Sequence, residues 1–232
     1  MGVIWIDSRR FAAAGATDPD FANVSLLLHM DGSNGSTTFT DSSSNALTVT
    51  ANGNAQISTA QSKFGGASGL FDGNGDYLDI ASDAAFGFGT GDFTIEYFIR
   101  CTASGVQIQV DTRISSFNET APSIYSIDTD LYYYTDATNR ITATGALTAS
   151  TWHHIAVCKS GTSTRLFVDG TQVGSTYTDS NDYGASRPLV IGTYLSKDNF
   201  FVDGNFDEFR ITNGVARYTA GFTPPTAAFP DS

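Results

Sequence analysis

Two neighbouring runs constrain this fold more than any other part of the chain: Thr151-Trp152-His153-His154-Ile155-Ala156-Val157-Cys158-Lys159 and Thr164-Arg165-Leu166-Phe167-Val168-Asp169-Gly170. Both are rich in β-branched and aromatic residues, and the short turn Ser160–Ser163 separates them, which is the pattern of an antiparallel hairpin. Asp169-Gly170 supplies a second tight turn, after which residues 171–176 can pair back. Strand, turn, strand, Asp-Gly, strand is a meander, and it predicts an antiparallel all-β protein. It specifies no reaction.

The rest of the chain repeats this grammar. Val24-Ser25-Leu26-Leu27-Leu28-His29-Met30 reads as a buried strand ended by Asp31-Gly32, and Phe71 and Tyr77 flank an Asp/Gly/Asn hairpin loop. In Phe93–Arg100 the residues Phe93, Ile95, Tyr97 and Ile99 share one face, and Thr94, Glu96, Phe98 and Arg100 the other. More than a dozen such short strands, with no helical run of ten residues and no internal repeat, predict a two-sheet antiparallel sandwich. One domain over residues 23–232 accommodates them, preceded by an arm over residues 1–22.

The arm has a different composition. Val3-Ile4-Trp5-Ile6 precedes the basic pair Arg9-Arg10 and Phe11, an order opposite to that of a secretory signal, so the sequence predicts a chain without an export signal. Exposed aromatic rings are costly unless they dock. Two readings stay open: an arm packed on its own domain, or a tether that docks Trp5, Arg9, Arg10 and Phe11 on a partner. Burial of Trp5, Phe11 and Phe21 in a homo-oligomer interface would also account for them.

The net charge of -12 opposes binding to nucleic acid or anionic membranes, and no stretch is apolar enough to insert in a bilayer. There are 21 Asp against three Glu (Glu96, Glu119 and Glu208), and most Asp stand beside Gly, Ser or Asn. Turn-capping accounts for most of them; ligation of a hard cation by loop carboxylates is the sharper alternative. Cys101 and Cys158 lack any metal-ligand or C-x-x-C neighbour and read as free, packed thiols.

Four features together resemble the laminin-G-like jelly rolls of the concanavalin A-like lectin/glucanase superfamily. They are Leu26–Gly32, Phe71-Asp72-Gly73-Asn74-Gly75-Asp76-Tyr77-Leu78, the Trp-x-His and Leu-x-Val-Asp-Gly meander, and Ile191-Gly192 followed by Phe206-Asp207-Glu208-Phe209-Arg210-Ile211. The resemblance implies a curved sandwich and, in many members, a structural Ca²⁺ at the sheet edge. By position that implies Asp31 and Asp207, with a loop group near Asp72, as ligands. The plainer readings are an Asp-Gly turn at Asp31 and a charge paired with Arg210 at Asp207.

Glucan-cleaving members carry a Glu-x-Asp-x-x-Glu strand that presents its acids on one face. No such run exists here, so the sequence predicts a protein that is not an enzyme. His153 and His154 are adjacent on a strand and point to opposite faces; the second is expected to pack or hydrogen-bond inside the sandwich. Binding remains. Tyr132, Tyr134, Tyr125 and Phe117 fall in the middle strands, where flat rings can hold a sugar. Tyr133 pointing inward would leave Tyr132 and Tyr134 outward, and Phe200-Phe201 offer a second contact or a lid on the core. The function expected from the resemblance is a virion protein of a phage, tail- or head-associated. It would dock on other virion proteins through the arm and display a lectin-like adhesion domain to surface glycans of the host. The alternative is a secreted bacterial carbohydrate-binding or adhesion module.

Overall fold

The strand at the centre of the molecule shows why two sheets form. In Phe93–Cys101 (β6), Phe93, Ile95, Tyr97 and Ile99 are all buried in one large apolar cluster, while Thr94, Glu96 and Phe98 point to the other side of the sheet. A period-2 pattern of that kind needs a second sheet to cover its apolar face. The computed structural model, which describes residues 17–232, shows that sheet. The arm residues Trp5, Arg9, Arg10 and Phe11 lie outside the described residues.

One sheet runs in the order β13 (Thr171–Thr178), β12 (Ser163–Val168), β11 (His153–Ser160), β6, β15 (Asp203–Asn213), β4 (Ser68–Asp72) and β3 (Gln56–Ser58). Its eighth strand, β1 (Val24–Leu28), pairs with the far half of β15, from Phe209 to Thr212. The other sheet runs β10 (Thr138–Ala143), β9 (Asp130–Thr135), β8 (Ser123–Ile127), β7 (Val106–Asp111), β14 (Arg187–Ile191), β5 (Tyr77–Asp83) and β2 (Thr50–Asn52). The ladders between these strands are antiparallel. The meander is β11–β12–β13, as its turns predict, and the chain is an all-β jelly-roll sandwich.

The inner faces meet in the large cluster, which takes Leu26, Tyr97, Ile155, Leu166 and Phe206 from one sheet and Leu78, Val110, Ile124, Tyr133 and Ile191 from the other. The outer faces differ. After β15 the chain forms no further strand, and residues 214–232 cross the outer face of the eight-stranded sheet. Tyr218 and Phe222 pack there on Ala156, Cys158 and Phe167, and Phe229 joins Val24, Leu27 and Phe98. Phe21 and Trp152 pack on that second cluster, so Phe21 has a place on its own domain without a partner subunit. Among the described residues, no segment covers the outer face of the seven-stranded sheet in the same way.

Candidate functional site

The uncovered face owes its shape to a bulge. In the β7–β8 ladder Ile108 pairs with Tyr125 and Val110 with Ile124, leaving Gln109 as an extra residue. A bulge reverses the parity of a strand: Val110 turns into the core, whereas Ile108 lies with Tyr125 on the outside. Gln109 instead accepts the Tyr97 hydroxyl at 2.6 Å inside the sandwich. On β9, Tyr133 is fully buried and shares a 2.9 Å hydrogen bond with Tyr183, while Tyr132 and Tyr134 flank it on the outer face, half-buried.

These strands line a cleft of about 190 Å³ formed by Val106, Ile108, Arg113, Phe117, Ser123, Tyr125, Tyr134 and Phe200. Tyr125 and Tyr134 meet edge to face at 6.2 Å. Tyr132 does not line the cleft: it stacks on Tyr125 at 4.8 Å and 13°, backing that ring and leaving its other face to the opening. The facing wall comes from loops. Phe117 stacks on Tyr194 (5.3 Å, 23°), and Tyr194 packs on Phe200 at 5.3 Å. Phe117 is 46% exposed, among the few large apolar side chains left in solvent.

The polar atoms of the cleft are mostly committed elsewhere. Tyr125 Oη donates to Asn139 (2.7 Å), Tyr134 Oη to the Phe117 carbonyl (2.9 Å) and Ser123 Oγ to the Val110 carbonyl (3.1 Å). Arg113 is buried, with its guanidinium 4.7 Å from the Phe117 ring and 5.4 Å from the Tyr134 ring. Its Nε and Nη2 each donate to Asp111 at 2.8 Å. No carboxylate or imidazole lines the cleft. Sequence patterning brings Phe117, Tyr125 and Tyr134 into view but misses Arg113, Val106 and Ile108. Arg113 lies in a loop without periodicity, and the bulge hides the outward turn of Ile108.

Asp31 and Asp207 meet at one loop. Asp207 is fully buried, and its Oδ2 accepts the backbone N–H groups of Lys63 (2.6 Å) and Phe64 (3.1 Å). The Asp31 carboxylate fills the same loop so closely that a Cβ on Gly65 would lie 2.0 Å from it. Burial pushes the Asp207 carboxyl up to about 7, against those two N–H donors and with the charges of Glu208 and Asp31 adding to the rise. Its Oδ1 is buried without a partner among the described residues. Asp31 and Asp207 are the carboxylates that would face a hard cation at this loop.

Asp72 does not join them. It pairs across β4–β15 with Asp203, four residues before Asp207, and caps its own turn by accepting from Asn74 N at 2.8 Å. Among the described residues no group of three or more His, Cys, Asp or Glu converges as a metal cage. Nor does Arg210 pair with Asp207. It points to the outer face, where Nε and Nη2 reach Glu96 Oε1 (2.9 and 2.7 Å) and Nη1 reaches Asp18 (3.0 Å).

That second set of charges holds the covered face. Glu96 also receives Tyr218 Oη at 2.9 Å and contacts His154 Nε2 at 3.2 Å. Burial alone would raise its carboxyl, but Arg210 and His154 hold it down to about 2. His154 is therefore buried between the sheet and the C-terminal segment and not inside the sandwich, because its neighbours Ile155 and Val157 take the core side. His153 ties the Asp169 turn at 2.7 Å. The Cys101 and Cys158 thiols are free and buried.

The binding domain of Paraclostridial Mosquitocidal Protein 1 superposes with a TM-score of 0.62 at 16% identity, over 85% of this chain and 50% of that one. A botulinum neurotoxin type C structure gives 0.61 at 13% identity, over 84% and 49%. The chain thus spans about half the length of these toxin structures. Domain 4 of AbnA, an extracellular GH43 arabinanase from Geobacillus stearothermophilus, gives 0.60 at 14% identity over 84% of this chain and 94% of its own. At these identities the likeness is one of fold. No curated protein sequence matches the chain. The Laminin_G_3 family matches residues 72–217, well over half of the chain and the part that contains both the cleft and the meander, and the protein therefore belongs to the concanavalin A-like lectin/glucanase superfamily.

Proposed function

We propose that this protein is a glycan-binding adhesion domain whose ligand enters the Tyr125–Tyr134–Phe117 cleft. The carrying observation is a group of aromatic rings held open to solvent while their hydroxyls are satisfied internally, so that ring faces are what the cleft offers. Sugars present flat CH-rich faces to such rings. Two structures of the same fold support the choice of ligand. The arabinanase domain was solved in complex with arabinotriose, and cell entry of the type C neurotoxin depends on interaction with two ganglioside molecules. A cleft without carboxylates lacks the acid pair of a glycoside hydrolase, which favours binding over hydrolysis.

The wider role we propose is display on a phage particle, as a tail- or head-associated virion protein that acts with other virion proteins and copies of itself. The position of the chain's ends supports this reading. Asp18 N donates to the Ser232 carbonyl at 2.7 Å, and Asp18 is bound by Arg210 and Arg217 on the outer face of the eight-stranded sheet. An arm leaving from residue 17 starts on the side of the sandwich away from the cleft, the arrangement an anchored receptor-binding domain needs. A Ca²⁺ ion held by Asp31 and Asp207 is a further part of this proposal.

Glycan-array binding by the full chain tests the first statement: bound glycans lost with Tyr125→Ala are the expected result, and binding unaffected by that change removes the cleft. Mass spectrometry of purified particles tests the second, since a chain missing from particles ends the virion role and leaves the secreted module. For the cation, a melting temperature that does not move between chelator and millimolar Ca²⁺ ends the third.

A further inference from the structure

Resting on the glycan reading of the cleft, we infer that its ligand is an uncharged sugar, and that acid-bearing sugars such as sialic acids and uronates are excluded. A lone arginine between two aromatic rings would ordinarily point to a carboxylate, because guanidinium and carboxylate pair bidentately. Here the side-on edge of the guanidinium, Nε with Nη2, is already used and its charge is already balanced. Asp111 Oδ1 receives Arg113 Nε at 2.8 Å and Arg113 N at 3.1 Å; Oδ2 receives Arg113 Nη2 at 2.8 Å and Leu195 N at 2.9 Å. Both side chains are buried, at 2% and 0% exposure, so the ion pair is fixed in place and brings no net charge to the cleft.

What Arg113 has left is the second N–H of Nη2 and Nη1, which has no partner among the described residues and is not sealed off as a buried orphan. These donors suit a hydroxyl or ring oxygen, and an incoming carboxylate would have to compete with Asp111, whose charge already balances the buried guanidinium. The surroundings act in the same direction. The faces of Tyr125, Tyr134, Phe117 and Phe200 carry the negative side of the aromatic quadrupole, which attracts cations and repels anions. Two acids brace the outer wall. Asp198 accepts from Tyr194 Oη at 2.5 Å behind Phe117, and Glu119 ties Ile114 N and Ser115 N at 2.6 and 3.0 Å while pairing with Arg187. The chain as a whole carries -12.

A neutral sugar meets none of these penalties: its CH face lies on Tyr125, and one of its oxygens accepts from Arg113 Nη1. The test is a glycan array of matched pairs, each neutral oligosaccharide printed beside its sialylated or uronate counterpart, probed with the full chain at 50 and 500 mM salt. Neutral members should bind, should lose roughly tenfold or more when the acid is added, and should vary little with salt, because no net charge is neutralised on binding. Binding confined to acid-bearing members, weakening as salt rises, overturns the inference and leaves the glycan cleft standing. Binding to neither overturns both.

Two variants separate the cause. Asp111→Asn should gain affinity for the acidic members by unmasking the guanidinium. If it fails to fold, Arg113→Gln should lower neutral binding severalfold with the preference against acids unchanged; a preference that then turns to acids counts against the inference.

Discussion

The two outer faces of this sandwich are built from strands with the same alternation, yet one is closed and the other open. On the eight-stranded sheet, Glu96, His154 and Arg210 occupy positions that a period-2 reading assigns to solvent, and residues 214–232 bury them. Each charge there meets an opposite charge, and the Tyr218 and Phe222 rings stack at 3.5 Å above the Phe167 cluster. On the seven-stranded sheet, aromatic rings occupy the equivalent outward positions and nothing in the described chain lies across the cleft they form. Buried charges that are paired hold a segment down, whereas exposed rings that are braced from behind are available to a ligand.

The largest effect is expected where the closed face loses a charge. Arg210→Met removes the cation hydrogen-bonded to both Glu96 and Asp18 and leaves them Arg217 alone, and breaking a buried pair on one side costs about 3–5 kcal/mol. Chemical denaturation measures it; a loss under ~1 kcal/mol would mean that the network does not hold the C-terminal segment. Phe229→Ala empties a buried position in the same cover, at a cost of about 3 kcal/mol. Limited proteolysis should then cut between residues 214 and 232 before any strand. Cleavage starting in the sheets instead would break the comparison.

A pH series sharpens it. Burial raises the Asp207 carboxyl to about 7, and Glu208 and Asp231 overcome burial to raise His29 to about 9. Both groups hold protons more tightly folded than unfolded. Their contribution is therefore full below the unfolded values of 3.8 and 6.5 and is lost as pH rises through about 7 and about 9. Glu96 has the opposite sign: its contribution is present above 4.5 and lost only as pH falls through about 2. The melting temperature without added metal should thus peak in mild acid and fall by several degrees between pH 6 and 9. Asp207→Asn should flatten the part of that fall near pH 7, and an unchanged slope would remove Asp207 as its source.

The smallest effect on stability belongs to the open face. Tyr125→Ala should change the unfolding free energy by only about 1 kcal/mol, the scale of a lost aromatic pair, while removing glycan binding. A destabilisation equal to that of Phe229→Ala would make the cleft wall part of the core and end the contrast between the faces.

Much of this fold is legible in the sequence. The Phe93–Arg100 alternation, the β11–β12–β13 meander with its Asp169-Gly170 turn, and the split of Tyr133 from Tyr132 and Tyr134 all follow from local pattern, because strand side chains alternate whatever the strand packs against. The cleft was legible only in part. Its tyrosines announce themselves by spacing, but Ile108 reaches it through a bulge and Arg113 through a loop whose shape depends on Asp111 and Leu195 N. The spread of the carboxylates was not legible: Asp31 and Asp207 come together at the Lys63–Gly65 loop, and Asp72 stays with Asp203.

The sequence by itself therefore determined the class, the strands and which residues share a face, since these depend on neighbours two positions away. Tertiary structure alone decided which face would be covered. Glu96 meets Arg210, Arg217 and Tyr218, residues 114 to 122 positions distant, and the two arginines also bind Asp18 from the other end of the chain; no local pattern records such a meeting.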